Sequence, residues 1–81
     1  MVSAKLANRA RDVFGDELFR QGIHGLAVDK VMLGGKSTFA LIAMVPPGHK
    51  GGLPETLDLD EDGKHTAVPV VVRTTAPFKP E

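Results

Sequence analysis

The chain has 81 residues, ten basic and ten acidic, and a formal net charge of zero. That length allows one small domain, and the charge balance disfavours a general binder of nucleic acid or of acidic membranes, since such proteins are strongly basic. The absence of cysteine excludes disulfides and cysteine-based zinc sites and fits a cytoplasmic protein, and no apolar run approaches the ~20 residues that span a bilayer.

Residues 3–21 are predicted to form one amphipathic helix. Ser3 is a suitable N-cap, and Gly22 suits the C-terminal end. Gly15 lies inside the pattern and is expected to kink or end the helix. The apolar residues recur on one face at helical spacing: Val2, Leu6, Ala10, Val13, Phe14 and Leu18. A single apolar stripe predicts that the helix lies across one face of a sheet.

Two hairpins are predicted to follow, each marked by glycine at its turn. The first joins residues 26–33 to residues 38–45 through Gly34-Gly35, and the second joins residues 56–60 to residues 67–73 through a turn that contains Asp62-Gly63. Such pairs of residues between apolar or alternating runs are the strongest local hairpin signal. Residues 46–52, rich in proline and glycine, predict a loop between the hairpins. Pro69 lacks an amide donor, which predicts an edge strand or a bulge there.

These elements predict an α+β fold for residues 1–76. One N-terminal helix would pack on a four-stranded, mainly antiparallel sheet made of the two hairpins. Residues 77–81, in a stretch punctuated by prolines, are expected to form an extended tail or linker.

Two short strings resemble cofactor motifs, but the pattern favours turns. The run Gly34-Gly35-Lys36-Ser37-Thr38 resembles the end of a phosphate-binding loop, yet Lys30 stands where the first glycine belongs and a strand-like run follows. Asp58, Asp60 and Asp62 match the start of a calcium loop, yet Pro69 occupies the position of the bidentate glutamate. Neither string therefore predicts a cofactor.

The titratable residues form no catalytic motif. His24, His49 and His65 are separated by 25 and 16 residues, which fits no local metal-ligand spacing, and no serine lies in a nucleophile elbow. Lys5, Arg9, Arg11 and Arg20 could contact nucleic acid, but three or four charges give a weak footprint. We therefore expect no enzyme activity.

One longer pattern resembles a known arrangement. It comprises Gly22–Val28, Ala40–Val45, Leu53–Leu57 and Val68–Val72, followed by Pro77-Phe78. This pattern resembles the small helix-plus-strands segment that precedes the catalytic domain in some bacterial trypsin-like serine proteases. The resemblance covers residues 1–79 and implies an accessory or recognition module without protease activity, because the catalytic histidine, aspartate and serine of those proteases belong to the following domain.

The function predicted from these observations is a non-catalytic protein–protein interaction or recruitment module. The partner would be another protein or domain (a protease, if the resemblance holds) or a second copy paired through open sheet edges. The expected partner-binding residues are Lys5, Arg9, Arg11, His49, Lys50 and Phe78. The alternative is a small anion- or metal-binding regulatory subunit of an enzyme, using Lys36, Ser37 and Thr38 or the three aspartates.

Overall fold

The computed structural model describes residues 2–49, 51–61 and 63–75. Along this part of the chain the elements are α1 (Ala4–Arg20), β1 (Gly25–Leu33), β2 (Lys36–Val45), β3 (Thr56–Glu61) and β4 (Lys64–Thr74). The prediction of one helix and four strands in an α+β fold is confirmed. The predicted tail, residues 77–81, lies outside the described residues.

Helix α1 is capped and continuous. The Ser3 hydroxyl accepts a hydrogen bond from the Leu6 backbone N–H at 3.2 Å, as the N-cap prediction requires. The helix does not end at Gly15, which is buried within α1. A Cβ added at Gly15 would lie 3.7 Å from Cδ2 of Leu26 in β1, an ordinary van der Waals contact, so this position of the helix faces β1.

The buried face of α1 differs from the predicted stripe at one position. Ala7, Ala10 and Leu18 are buried, but Val13 is 55% exposed. Successive helical residues are 100° apart, so a face centred on Ala10, Phe14 and Leu18 turns Val13 towards solvent. The prediction of Val13 in the core is wrong for this reason.

The sheet is mixed, with the strand order β1-β2-β4-β3. The two hairpins β1–β2 and β3–β4 are antiparallel as predicted, but they join through a parallel pairing in which Leu41 lies opposite Val70. Two of the three pairings between these strands are antiparallel, as the prediction of a mainly antiparallel sheet requires, but the parallel junction makes the sheet mixed. The apolar strand β4 takes the inner position, where it is covered, and the acidic strand β3 takes the outer one. That distribution follows the preference of apolar strands for inner positions and of charged strands for edges.

Strand β4 changes partner at Pro69. Its first part, Lys64 to Pro69, pairs with β3, and its second part, Val70 to Thr74, pairs with β2. The Val70 N–H donates to the Glu55 carbonyl, on the β3 side, at 2.8 Å. Successive backbone nitrogens point to opposite sides of a strand, so the ring nitrogen of Pro69 faces the β2 side. Pairing with β2 begins only at Val70, so no hydrogen bond from residue 69 is needed there. Pro69 therefore lies in an inner strand, but at a position where β4 has a neighbour on one side only.

The core lies between α1 and one face of the sheet. Leu18, Leu41 and Val68 are its largest fully buried side chains. Val2 extends the core beside β2, where its carbonyl accepts from the Phe39 N–H at 3.2 Å and its N–H donates to Thr38 Oγ1 at 3.1 Å. In the described part of the chain, no helix is long and apolar enough to cross a membrane.

Candidate functional site

The predicted partner-binding residues that the structure describes lie at two separate places in the fold. Lys5, Arg9 and Arg11 are exposed on the N-terminal and middle turns of α1. His49 contacts the carbonyl of Gln21 at the other end of the helix, about 18 Å along the axis from Arg9 at 1.5 Å per residue. Lys50 and Phe78 lie outside the described residues. The four described members, Lys5, Arg9, Arg11 and His49, therefore do not form one surface.

His49 ties the proline- and glycine-rich loop to the end of α1. Its Nε2 lies 2.8 Å from the Gln21 carbonyl oxygen, and its Nδ1 accepts from the Gly51 N–H at 3.0 Å. A carbonyl can only accept, so Nε2 carries the proton and Nδ1 does not. This contact is structural, since both ring nitrogens are occupied by backbone groups.

The other two histidines lie elsewhere and have their own partners. His24 Nε2 is 2.8 Å from the Thr75 hydroxyl. This contact joins the residue before β1 to the residue after β4. His65 pairs with Asp60, its cross-strand neighbour in the second hairpin. Among the residues the structure describes, no group of three or more histidine, aspartate or glutamate side chains is arranged to hold a metal ion.

The string that resembles a phosphate-binding loop is a hairpin turn. Gly34 and Gly35 have φ angles of 58° and 80°, the left-handed pair that a two-residue type I′ turn needs. Strand β2 follows directly at Lys36. Ser37 and Thr38 line a pocket of about 310 Å³ with Lys30, Phe39 and residues 2–4 at the start of the chain. The Thr38 hydroxyl already accepts a hydrogen bond from the Val2 N–H.

The outer edge of β1 presents unpaired backbone groups. Phe39 lies opposite Lys30, and the Phe39 N–H points away from β1 to the Val2 carbonyl. In an antiparallel ladder, opposite residues exchange either both hydrogen bonds or none, in alternation. Lys30 and Phe39 therefore exchange none. By the same alternation, the N–H and C=O groups of Leu26, Val28, Lys30 and Met32 all point outward.

One of these outward donors is capped. The Lys30 N–H donates to Oδ1 of its neighbour Asp29 at 2.8 Å. Among the described residues, no backbone group pairs with the other outward groups of β1, which is the first strand of the sheet. The open stretch therefore centres on Leu26 and Val28.

A groove between α1 and β1 lies beside this stretch. It is lined by Arg11, Asp12, Gly15, Asp16, Phe19 and Leu26. Phe19 is 49% exposed, and the half-buried Leu26 is the one residue of β1 in the lining. Asp12 and Asp16 are exposed and one helical turn apart, so the groove combines the apolar side chains of Phe19 and Leu26 with two carboxylates and one guanidinium.

The opposite edge of the sheet is less suited to a partner strand. Strand β3 has six residues, whereas β1 has nine. The residues of β3 whose backbone groups point away from β4 include Asp58 and Asp60. Short, charged edge strands are a common protection against unwanted pairing. We therefore take the β1 edge and its groove as the candidate functional site.

Sequence reasoning found part of this site. It predicted open sheet edges and named Arg11, but it missed Asp12, Asp16, Phe19 and Leu26. The available signal was Phe19, a large apolar residue outside the predicted helical stripe, followed closely by the first strand. The groove itself has no local signal, because it depends on where α1 crosses the sheet.

Comparisons of the chain with protein-family models, with curated proteins and with solved structures find no match. The resemblance to the segment before bacterial trypsin-like proteases therefore stays a prediction.

Proposed function

We propose that this chain is a non-catalytic protein–protein interaction module that binds an extended segment of its partner along β1. The carrying observation is the nine-residue outer strand with unpaired backbone groups at Leu26 and Val28. An added strand gains its affinity from main-chain hydrogen bonds and its specificity from side-chain pockets beside the edge. In this chain the backbone groups of β1 supply the affinity, and the groove with Phe19 supplies the specificity.

The partner class follows from the chemistry of the groove. An extended segment places alternate side chains on one face, so one side chain would lie opposite Leu26 and the next one opposite Val28. Leu26 lines the groove with Asp12 and Asp16, so these carboxylates favour a basic residue opposite Leu26. The partly buried Val28 favours an apolar residue opposite itself. A protease is one candidate partner, on the resemblance alone. The alternative function, anion or metal binding by a regulatory subunit, stays a prediction.

The experiment is a selection of random displayed 12-residue peptides on the immobilised chain, followed by fluorescence anisotropy with the selected peptides. We expect Val28→Pro to weaken their binding at least tenfold, because it removes an outward N–H without touching the β1–β2 ladder. Asp58→Pro is the matched control, since it removes an outward N–H from the other edge. Thermal unfolding checks that both variants are folded.

Two results would refute the proposal. One is a selection that yields no binding peptide. The other is peptides that bind folded Val28→Pro as tightly as the natural chain. If Val28→Pro does not fold, the Asp12→Lys/Asp16→Lys double variant replaces it, because both side chains are exposed, and unchanged binding of basic peptides to that variant is then the refuting result.

A further inference from the structure

We propose that the extended segment that binds to β1 is the β1 strand of a second copy, paired antiparallel with Val28 opposite Val28. This inference rests on the proposed function and names its partner. Outward-facing residues must lie opposite outward-facing residues for the hydrogen bonds to form. Since the outward groups belong to even-numbered residues, the permitted registers all place some residue opposite its own copy.

Repulsion between like charges disfavours two of these registers. Centring the pair on Asp29 or on Lys30 places like charges directly opposite each other, which is destabilising. Among the remaining registers, the one centred on Val28 pairs residues 25–31 of each copy, which is seven residues of β1. The registers centred on Ala27 or on Val31 pair only five. The Val28 register therefore forms the longest ladder without a direct charge clash.

The same register brings opposite charges together. It places Lys30 of the second copy opposite Leu26, on the face of the sheet that carries α1. Lys30 lies on that face because it is opposite Phe39, which packs against the core from β2. Leu26 lines the groove with Asp12 and Asp16. Each copy thus contributes one lysine to the acidic groove of the other, which gives two equivalent contacts related by the twofold axis.

Asp29 reduces the net free energy that this pairing gains. In the free chain its carboxylate accepts from the Lys30 N–H, and in the dimer that N–H donates to the Leu26 carbonyl of the second copy. The new hydrogen bond replaces an existing one, so the net gain at this position is small. We expect association that depends on concentration over the micromolar to millimolar range.

The first test is cross-linking, in a chain that has no native cysteine. Val28→Cys is expected to form a disulfide-linked dimer in oxidised glutathione, because Cα atoms of a bonded antiparallel pair are about 5.5 Å apart, within the range of a disulfide. Met32→Cys is the control. Met32 is 66% exposed but would lie about 27 Å from its copy, eight residues along the strands, and we expect it to stay monomeric.

The second test is charge reversal, read by sedimentation equilibrium between 10 µM and 1 mM. The natural chain is expected to approach twice its 8.6 kDa mass. Asp12→Lys/Asp16→Lys is expected to weaken association at least tenfold, and adding Lys30→Glu to that variant is expected to restore it. Restoration identifies a direct contact, which a general loss of stability would not produce.

The outcomes separate this inference from the proposed function. A natural chain that stays monomeric at 1 mM overturns the β1–β1 dimer, and so does cross-linking of the Met32→Cys variant without cross-linking of Val28→Cys. If the natural chain is monomeric but the selected peptides bind Val28→Pro more weakly, the proposed function stands and only the dimer is overturned. Peptides that bind Val28→Pro normally refute the function whatever the mass in solution.

Discussion

His49 and the glycines around it show how single residues join distant segments. The imidazole ring lies between the end of α1 and the loop that leads to β3, with a backbone group on each nitrogen. Gly22 lies next to this ring. A Cβ added there would lie 3.1 Å from Nε2 of His49, whereas a Cβ added at Gly48 meets nothing within 4 Å. Both glycines have positive φ angles, 98° and 88°.

This difference predicts unequal costs for two similar substitutions. Gly48→Ala should lower the free energy of unfolding by about 1–2 kcal/mol, the cost of a left-handed conformation for a residue with a side chain. Gly22→Ala should lower it by up to about 1 kcal/mol more, because the methyl group pushes Nε2 of His49 away by a few tenths of an ångström and weakens its hydrogen bond to Gln21. Urea unfolding measures both values. In a His49→Ala background the two substitutions should cost the same, and an undiminished difference there would contradict the role given to His49.

The first hairpin is the element whose local sequence and structure agree most closely. Its two-residue turn needs left-handed backbone at both central positions, and glycine occupies both. The second hairpin also joins strands that are adjacent in the sequence. Its apolar strand β4 takes an inner position in the sheet, and its acidic strand β3 takes the edge. Turn chemistry therefore sets each hairpin, and burial sets how the hairpins are placed.

A substitution in the first turn tests this assignment. Gly34→Asn should raise the free energy of unfolding by about 0.4–1 kcal/mol, because asparagine tolerates this conformation and restricts the unfolded chain. The space around Gly34 is open, with nothing within 4 Å of an added Cβ. Gly34→Val is the control and should lower the same quantity by about 1–2 kcal/mol. Thermal unfolding measures both, and a lower midpoint for Gly34→Asn would show that the turn is not type I′.

At the scale of the whole molecule, the parallel contact of β2 with β4 joins the two hairpins into one unit. Leu41 on β2 is fully buried and lies opposite Val70 on β4, under α1. An 81-residue chain has a total free energy of unfolding of about 4–12 kcal/mol. One large buried side chain at this junction therefore carries a substantial part of the stability.

Leu41→Ala should lower the free energy of unfolding by about 3 kcal/mol through the cavity it leaves. Leu33→Ala is the matched control, since Leu33 is 44% exposed, and it should cost less than about 1 kcal/mol. Because the core is shared, native-state hydrogen exchange should accelerate equally in both hairpins of Leu41→Ala. Faster exchange confined to the first hairpin would mean that the hairpins unfold independently.

The sequence by itself determined the local structure of this protein. Ser3 marks the start of the helix, Gly34-Gly35 marks the first turn, and the proline-glycine run marks the connection between the hairpins. Each signal depends on the backbone preferences of a few adjacent residues, so no distant contact is needed to interpret it. Gly15 and Val13 were misassigned because their environment is set by how α1 lies against Leu26 and the sheet.

Only the tertiary structure decided the strand order and therefore the candidate site. The parallel pairing of Leu41 with Val70 joins residues far apart in the chain, and no local pattern specifies such a contact. That pairing leaves β1 at the edge and lets Pro69 lie inside the sheet without a lost hydrogen bond. It also sets α1 beside the open backbone of Leu26 and Val28. The groove with Asp12, Asp16 and Phe19 exists because these non-local contacts place one helix face next to one strand edge.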